Sequence, residues 1–287
     1  MVNLKKILTL ASEKNFAVGA FNVYNAESVQ AVIESAEEEK SPVIMITGPL
    51  EIPLLGLKGF VDVCKVMTKK IKVPVCLHLD HSTDPDFVIK AIETGFPSVM
   101  IDASGQSFDR NVKTTKKIVD FAHRRGVTVE GEIGRIGKVM LSKETDENNS
   151  QSTDPQQALE FVKKTGVDAL AINIGNAHGI YQKAPKLDFV RLHEIAELVK
   201  IPVVLHGGSS TPVPDLKKLI LFGISKVNIA TELHVAFSKV VKEDLEKGNG
   251  FTWTSVSLIK VKRAQKKIIR RWMNILGSSG KADLWVK

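Results

Sequence analysis

A set of polar residues in this chain falls where short apolar runs end, and their types are those of metal and acid–base chemistry. Asp80 and His81 end one run, Asp102 a second, and Glu130 and Glu132 a third; His178 follows a fourth, His206 ends a fifth and Asn228 lies in a sixth. Neutral imidazoles bind zinc at about 2.0–2.1 Å, and three of them leave a fourth position open for water or substrate. His81, His178 and His206 are the candidates for such a Zn2+ site. Each alone reads as a hydrogen-bonded rim histidine; it is their joint arrival at one end of nearby strands that favours a metal. His78 faces away from Leu77 and Leu79 by two-residue alternation and reads as packed, or as supporting the site from behind. His123, His193 and His234 fall in helical patterns and read as surface or core residues.

A second group of residues suits an anion. His206-Gly207-Gly208-Ser209-Ser210 closes one apolar run, and Asn228-Ile229-Ala230-Thr231-Glu232 closes the next and opens a helix. Small residues there let backbone N–H groups approach an anion, and a helix N-terminus adds partial positive charge. A Gly-Gly turn by itself is only a turn. Beside a candidate metal cluster, it points to a bound phosphate.

These residues need a scaffold that brings distant segments to one place. Short β-branched runs alternate with longer amphipathic segments along the chain, the pattern of parallel strands joined by helices. Strands are expected at 17–22, 43–47, 74–79, 98–102, 127–132, 168–174, 202–206 and 226–229. Helices are expected at 27–40, 84–95, 110–125, 154–165, 188–200 and 212–222, with Gly95, Gly126, Gly166 and Gly223 placed to end several of them. Continuous apolar runs such as Val73-Pro74-Val75-Cys76-Leu77 suit strands buried on both faces. Eight such units predict an α/β fold of the (β/α)8 TIM-barrel type, in which strand ends converge on one pocket; an open doubly wound sheet is the alternative. The polar stretch 138–153 follows the fifth strand and is expected to form a lid-like loop over that pocket.

With 287 residues and 43% hydrophobic content, the chain fits a single barrel domain over 1–287. The formal charge of +8 is concentrated in a C-terminal helical extension at about 255–275. There Lys260, Lys262, Arg263, Lys266, Lys267, Arg270 and Arg271 accompany Val261, Ile268, Ile269 and Trp272 at roughly helical spacing, so a basic solvent face is expected. No recognition-helix pattern accompanies it, so no nucleic-acid partner is expected. No apolar run reaches the length of about 18 residues that spans a membrane, and the opening residues do not read as a secretion signal. A soluble cytoplasmic protein with no membrane partner is expected. Cys64 and Cys76 read as buried thiols.

The chain resembles the class II fructose-bisphosphate and tagatose-bisphosphate aldolase family. Seven segments carry the resemblance in order: Gly19-Ala20-Phe21-Asn22-Val23, Leu77-His78-Leu79-Asp80-His81, Ser98-Val99-Met100-Ile101-Asp102, Val129-Glu130-Gly131-Glu132-Ile133-Gly134, Ala177-His178-Gly179, Val204-Leu205-His206-Gly207-Gly208-Ser209 and Lys226-Val227-Asn228-Ile229-Ala230-Thr231. The resemblance implies zinc at His81, His178 and His206, with Glu132 close to the metal. It implies that Asp80 moves the proton of the substrate's C4 hydroxyl, that Asn22 and Asn228 lie at the substrate, and that Gly179, Gly207, Ser209 and Thr231 surround its phosphate. It further implies a monovalent cation, Na+ or K+, near that phosphate; a homodimer or homotetramer is expected. The implied activity is reversible cleavage of a ketose 1,6-bisphosphate to dihydroxyacetone phosphate and an aldehyde phosphate. Alternatives are a related lyase or isomerase acting on a ketose monophosphate, and a weakly active relative that keeps metal and phosphate binding. No lysine stands out as a Schiff-base nucleophile.

Two departures bear on the chemistry. An ungapped reading puts Met140 where the family has a proton-exchanging loop glutamate, and methionine cannot transfer a proton. Glu144 is the nearest acid and is the candidate for that role. Residues 250–259 also lack the Pro and Arg of the segment that in the family helps hold the distal phosphate.

Overall fold

The computed structural model describes residues 1–139, 150–179 and 184–285. Ten strands are present among them: β1 (Val18–Asn22), β2 (Val43–Thr47), β3 (Val75–Ser82), β4 (Ser98–Ile101), β5 (Thr128–Ile133), β6 (Gly137–Val139), β7 (Ala169–Ile172), β8 (Ala177–Gly179), β9 (Val203–Leu205) and β10 (Ile224–Ile229). Eight of them close into a barrel in the order β1-β10-β9-β7-β5-β4-β3-β2, with parallel pairing throughout. The expected eight strands are present, and the architecture is a (β/α)8 TIM barrel. The other two, β6 and β8, pair with each other above the barrel and were not expected. His178 is the middle residue of β8 and pairs with Lys138 of β6.

Ten α-helices complete the described residues: α1 (Leu4–Glu13), α2 (Ala26–Glu38), α3 (Gly56–Thr68), α4 (Pro85–Thr94), α5 (Phe108–His123), α6 (Pro155–Thr165), α7 (Phe189–Val199), α8 (Val213–Leu221), α9 (Thr231–Lys247) and α10 (Thr254–Ile275). Their ends follow local chemistry. Asp84 and Asp154 accept backbone N–H bonds ahead of Pro85 and Pro155, and Gly95 and Gly166 stop the same two helices in the left-handed region.

Two apolar layers hold the barrel. Outward residues such as Leu77, Leu79, Val129 and Leu205 pack under the helices. Inward residues Val18, Ala20, Ile44, Cys76, Met100, Ala169 and Val204 fill the lower barrel with Leu4, Ile7, Leu8 and Ala11 of α1, which closes its base. Side chains alternate along each strand, so the next inward positions towards the mouth are His78 and Asp80, Glu130 and Glu132, and Lys226 and Asn228. The barrel is therefore apolar at its base and polar above.

Several cations of the basic face of α10 are paired with acids. Lys262 and Lys266 pair with Glu34 of α2, Lys266 and Arg270 with Glu38, Arg270 with Glu39, Arg271 with Glu232 and Lys260 with Asp244. The expected solvent face is present, with Arg263, Lys267, Arg270 and Arg271 exposed, and the paired cations also latch α10 onto α2 and α9. Among the described residues, no helix is long and apolar enough to cross a membrane.

Candidate active site

The three histidines converge. His81 comes from β3, His206 follows β9 and His178 lies in β8, and one ring nitrogen of each falls within 4.8 Å of the others. The ring centroids are 4.5–5.6 Å apart. His81 Nδ1 and Asp102 Oδ2 are 3.1 Å apart, and His206 Nε2 donates to Glu130 Oε1 at 2.9 Å. These bonds turn His81 Nε2 and His206 Nδ1 towards each other, 2.7 Å apart. A carboxylate behind each ring fixes the tautomer that aims the other nitrogen at a metal.

His81 reaches this place through an irregular backbone. The β3–β4 register shifts between Leu79 and Ser82, and His81 has a φ of 43°. In a regular strand adjacent side chains face opposite ways. The bulge lets Asp80 and His81 both line one cavity of about 870 Å³. A non-glycine residue in this region is strained, and such strain collects at functional sites.

Glu132 lies on the other side of His81. Its Oε2 is buried and has no hydrogen-bond partner, and His81, Asp102 and Glu132 each offer a ligand atom within 4.8 Å of the others. Burial, with the Asp102 charge adding to it, pushes the Glu132 carboxyl up to about 8. Burial opposes charge on His81, but Asp80, Asp102 and Glu132 outweigh it and hold His81 at about 9. Burial and then His81 press His206 well below the usual histidine value. Three imidazoles, an unpartnered buried carboxylate oxygen and a surplus of negative charge fit a divalent cation.

Asp80 is anchored beside the cluster. Asn228 Nδ2 donates to Asp80 Oδ1 at 3.2 Å and to Oδ2 at 3.3 Å. Asn22 is clamped at both ends: His234 Nε2 lies 3.1 Å from its Oδ1, and its Nδ2 donates to Glu51 Oε1 at 3.3 Å. His234 stacks on Tyr24 with centroids 5.1 Å apart. The expectation that His234 is a plain helix residue is thus corrected; it supports Asn22. His123 pairs with Asp168 just before β7, at the far end of the barrel from the cluster.

The small-residue loops pack closely on neighbouring backbone, and Gly179, Gly207, Gly208 and Ser209 are not among the residues that line the cavity. Gly207 sits at φ 70°, and a Cβ there would meet the Ala177 carbonyl oxygen at 1.9 Å; at Gly208 it would meet Val227 Cγ1 at 2.3 Å. Gly179 sits at φ 110°. Ala230 caps α9 without a side-chain bond to its first N–H groups, and Glu232 N faces Ser209 Oγ at 3.5 Å. Ala230 and Thr231 line the same cavity as Asn22, Asp80, His81 and His178. Met140 and Glu144, with most of the expected lid at 138–153, lie outside the described residues.

Sequence reasoning passed over Glu51, which lines the cavity, and Lys226, which is fully buried in β10. Two-residue alternation from Asn228 was the available signal for Lys226. Its Nζ pairs with Glu130 Oε2 at 2.7 Å, and among the described residues no lysine lines the cavity.

Comparison with known proteins agrees with this geometry. The model of the family "Fructose-bisphosphate aldolase class-II" matches residues 2–281. The chain is similar to the YdjI aldolase of Escherichia coli K12, at 35% identity over 98% of this chain and 99% of that one, with a TM-score of 0.85. Fructose-bisphosphate aldolase from Campylobacter jejuni shares the fold at 24% identity, over 97% of this chain and 95% of that one, with a TM-score of 0.82. A match over nearly the whole length, on a barrel whose strand ends gather three histidines and an anchored aspartate, shows that this chain belongs to the class II aldolases, the metal-dependent lyases of the fructose-bisphosphate aldolase family.

Proposed function

We propose that the chain catalyses reversible aldol cleavage of a ketose 1,6-bisphosphate of the fructose or tagatose type, with Zn2+ held by His81, His178 and His206 and with Glu132 close to it. The products are dihydroxyacetone phosphate and an aldehyde phosphate. The observation that carries the reading is the convergence of the three histidines, of which His81 and His178 line one cavity together with Asp80, whose carboxylate is held by Asn228.

A divalent ion at this position supplies a Lewis acid for the negative charge that cleavage leaves on the ketone fragment. Asp80 takes the proton of the C4 hydroxyl. The C3–C4 bond breaks, its electron pair enters the enediolate of dihydroxyacetone phosphate, and the C4 oxygen becomes the aldehyde carbonyl. Asn22 and Asn228 orient the substrate. Backbone N–H groups around Gly179, Gly207, Gly208 and Ser209, with Ala230 and Thr231 at the α9 terminus, receive the phosphate of the ketone fragment. A monovalent cation, Na+ or K+, accompanies that phosphate by family resemblance. C3 of the enediolate then takes up a proton in place of its bond to C4, and Glu144 is the candidate donor.

Two observations favour the alternative of a ketose carrying a single phosphate. Lys260, the cation that follows the 250–259 segment, is paired with Asp244 at 2.6 Å, and among the described residues Arg135 is the one arginine or lysine that lines the cavity. The enzyme is proposed to act in the cytoplasm as a homodimer or homotetramer. A zinc-loaded cleavage assay over ketose mono- and bisphosphates tests the reading. No C–C cleavage of any of them at saturating zinc would overturn it.

A further inference from the structure

Lys226 is charged, yet it lies wholly inside the barrel. Its Nζ donates to Glu130 Oε2 at 2.7 Å, and Glu130 Oε1 accepts from His206 Nε2 at 2.9 Å. Lys226, Glu130 and His206 are each 0% exposed. The three form a line that runs from β10 across β5 to the residue after β9 and ends on a nitrogen facing His81. Stability does not explain such a pair, because replacing a buried ion pair with apolar side chains of similar size is often neutral or stabilising.

The bond pattern suggests another use. A carboxylate that accepts on both oxygens can take only a donated N–H from His206, so the Nε2 proton is fixed there and the Nδ1 lone pair is left to face the histidine cluster. Lys226 holds the second oxygen and with it the tilt of the carboxylate. His78 Nε2 lies 3.7 Å from that same oxygen and has no hydrogen-bond partner. We propose that Lys226 is a positioning residue for the metal centre: through Glu130 it sets the tautomer and ring orientation of His206, and so the affinity and geometry of the site. It touches neither the cavity nor the substrate. The inference rests on the assignment of a metal to the three histidines made above.

The test measures the metal rather than turnover. Zn2+ affinity by chelator competition and the visible spectrum of the Co2+-loaded protein are recorded for the parent, Lys226→Met, Lys226→Arg and the double variant Glu130→Gln/Lys226→Met. The double variant removes both charges together and avoids leaving a lone buried carboxylate, so it decides the matter if Lys226→Met does not fold. Partners behind a metal-binding histidine typically change affinity about 10–100-fold. Loss of that order is expected in Lys226→Met and in the double variant, with an altered Co2+ spectrum at saturating metal, while Lys226→Arg keeps most of the parental affinity. Melting of the metal-free double variant should match or exceed the parent, which a merely structural role would not allow. Parental affinity and an unchanged Co2+ spectrum in the double variant would overturn the inference and leave the proposed function intact. A parent that binds no metal would overturn the proposed function itself.

Discussion

Asn228 donates one amide group to both oxygens of Asp80, at 3.2 and 3.3 Å, and so ties the end of β3 to the neighbourhood of β10 across the barrel mouth. The carboxylate keeps a fixed direction, which a proton-transfer group needs before substrate arrives. Asp80→Ala should retain the fold and the bound metal and lose activity by about 10²–10⁴-fold. Asn228→Ala should lose less, because the acid remains and only its aim is relaxed. Steady-state cleavage with metal content measured in parallel checks both. Cleavage by Asp80→Ala at the parental rate would reduce Asp80 to a structural group.

Metal content is expected at about one divalent ion per chain. Alanine at His81, His178 or His206 should each sharply lower it, since a three-ligand site loses much of its affinity with one ligand. Chelation should abolish cleavage, and added zinc should restore it. Stoichiometric metal in the triple alanine variant would disprove the assignment.

The pH response of the metal-free protein follows from the two shifted groups beside each other. His81 is held at about 9 against an ordinary 6.5, so its stabilisation is complete below 6.5 and is lost as the pH rises through about 9. Glu132 is raised from 4.5 to about 8 by burial, so its preference for the protonated folded state is lost across that range. Both signs agree: metal-stripped protein should melt at a lower temperature near pH 9 than near pH 6.5. The His81 side chain is 29% exposed, so solvent screens its share and a drop of a few degrees is expected. Metal should bind more tightly over the same rise in pH, because a proton must leave His81 first. Differential scanning calorimetry and chelator competition at the two pH values measure these effects; a melting temperature that climbs above pH 6.5 would contradict them.

The packing at Gly207 makes a prediction about backbone. Gly207→Ala introduces a Cβ 1.9 Å from the Ala177 carbonyl oxygen at a φ of 70°, so the strand carrying His178 or the loop itself must move. Strain of this kind costs about 1–3 kcal/mol. A lower melting temperature and a raised KM for the ketose phosphate are expected. An alanine variant with both values unchanged would show that the two backbones do not approach as described.

The loop acid is tested by isotope exchange. If Glu144 returns the proton to C3, Glu144→Gln should slow exchange of that proton of dihydroxyacetone phosphate with deuterated solvent, while Met140→Glu changes little. If no acid serves, the parent exchanges slowly and Met140→Glu accelerates it, by about 10²-fold or more. Fast parental exchange indifferent to both substitutions would assign the step to another group.

Much of this site is legible from strand ends alone. His81, His206 and Asn228 follow apolar runs that must be strands because they are buried on both faces, and a barrel brings such ends together. What is not legible is set by backbone detail and by charge in unexpected places. The joint aim of Asp80 and His81 depends on a bulge and a positive φ that their residue types do not announce. Lys226 reads as a solvent residue until its neighbour Asn228 is known to face inward, and Glu130, two before Glu132, is legible only once both are placed on one face. His234 opens a helix whose outer surface is polar, so nothing local marks the one turn that reaches Asn22. The pairing of β6 with β8 joins two short segments with little strand propensity, held by each other and not by pattern.

The closing of the barrel base by α1 bears on how the chain folds. Leu4, Ile7 and Leu8 are completely buried in the finished molecule, yet Ile44, Met100, Ala169 and Val204 that share their cluster come from four strands spread along the chain. Leu4 N donates to Thr128 Oγ1, 124 residues away, and Trp285 Nε1 donates to Lys6 O across 279. Contacts of such separation form late and slow the search for the native state. On the ribosome this first helix emerges long before its partners, so its apolar stripe stays available to wrong neighbours until the last strand is in place.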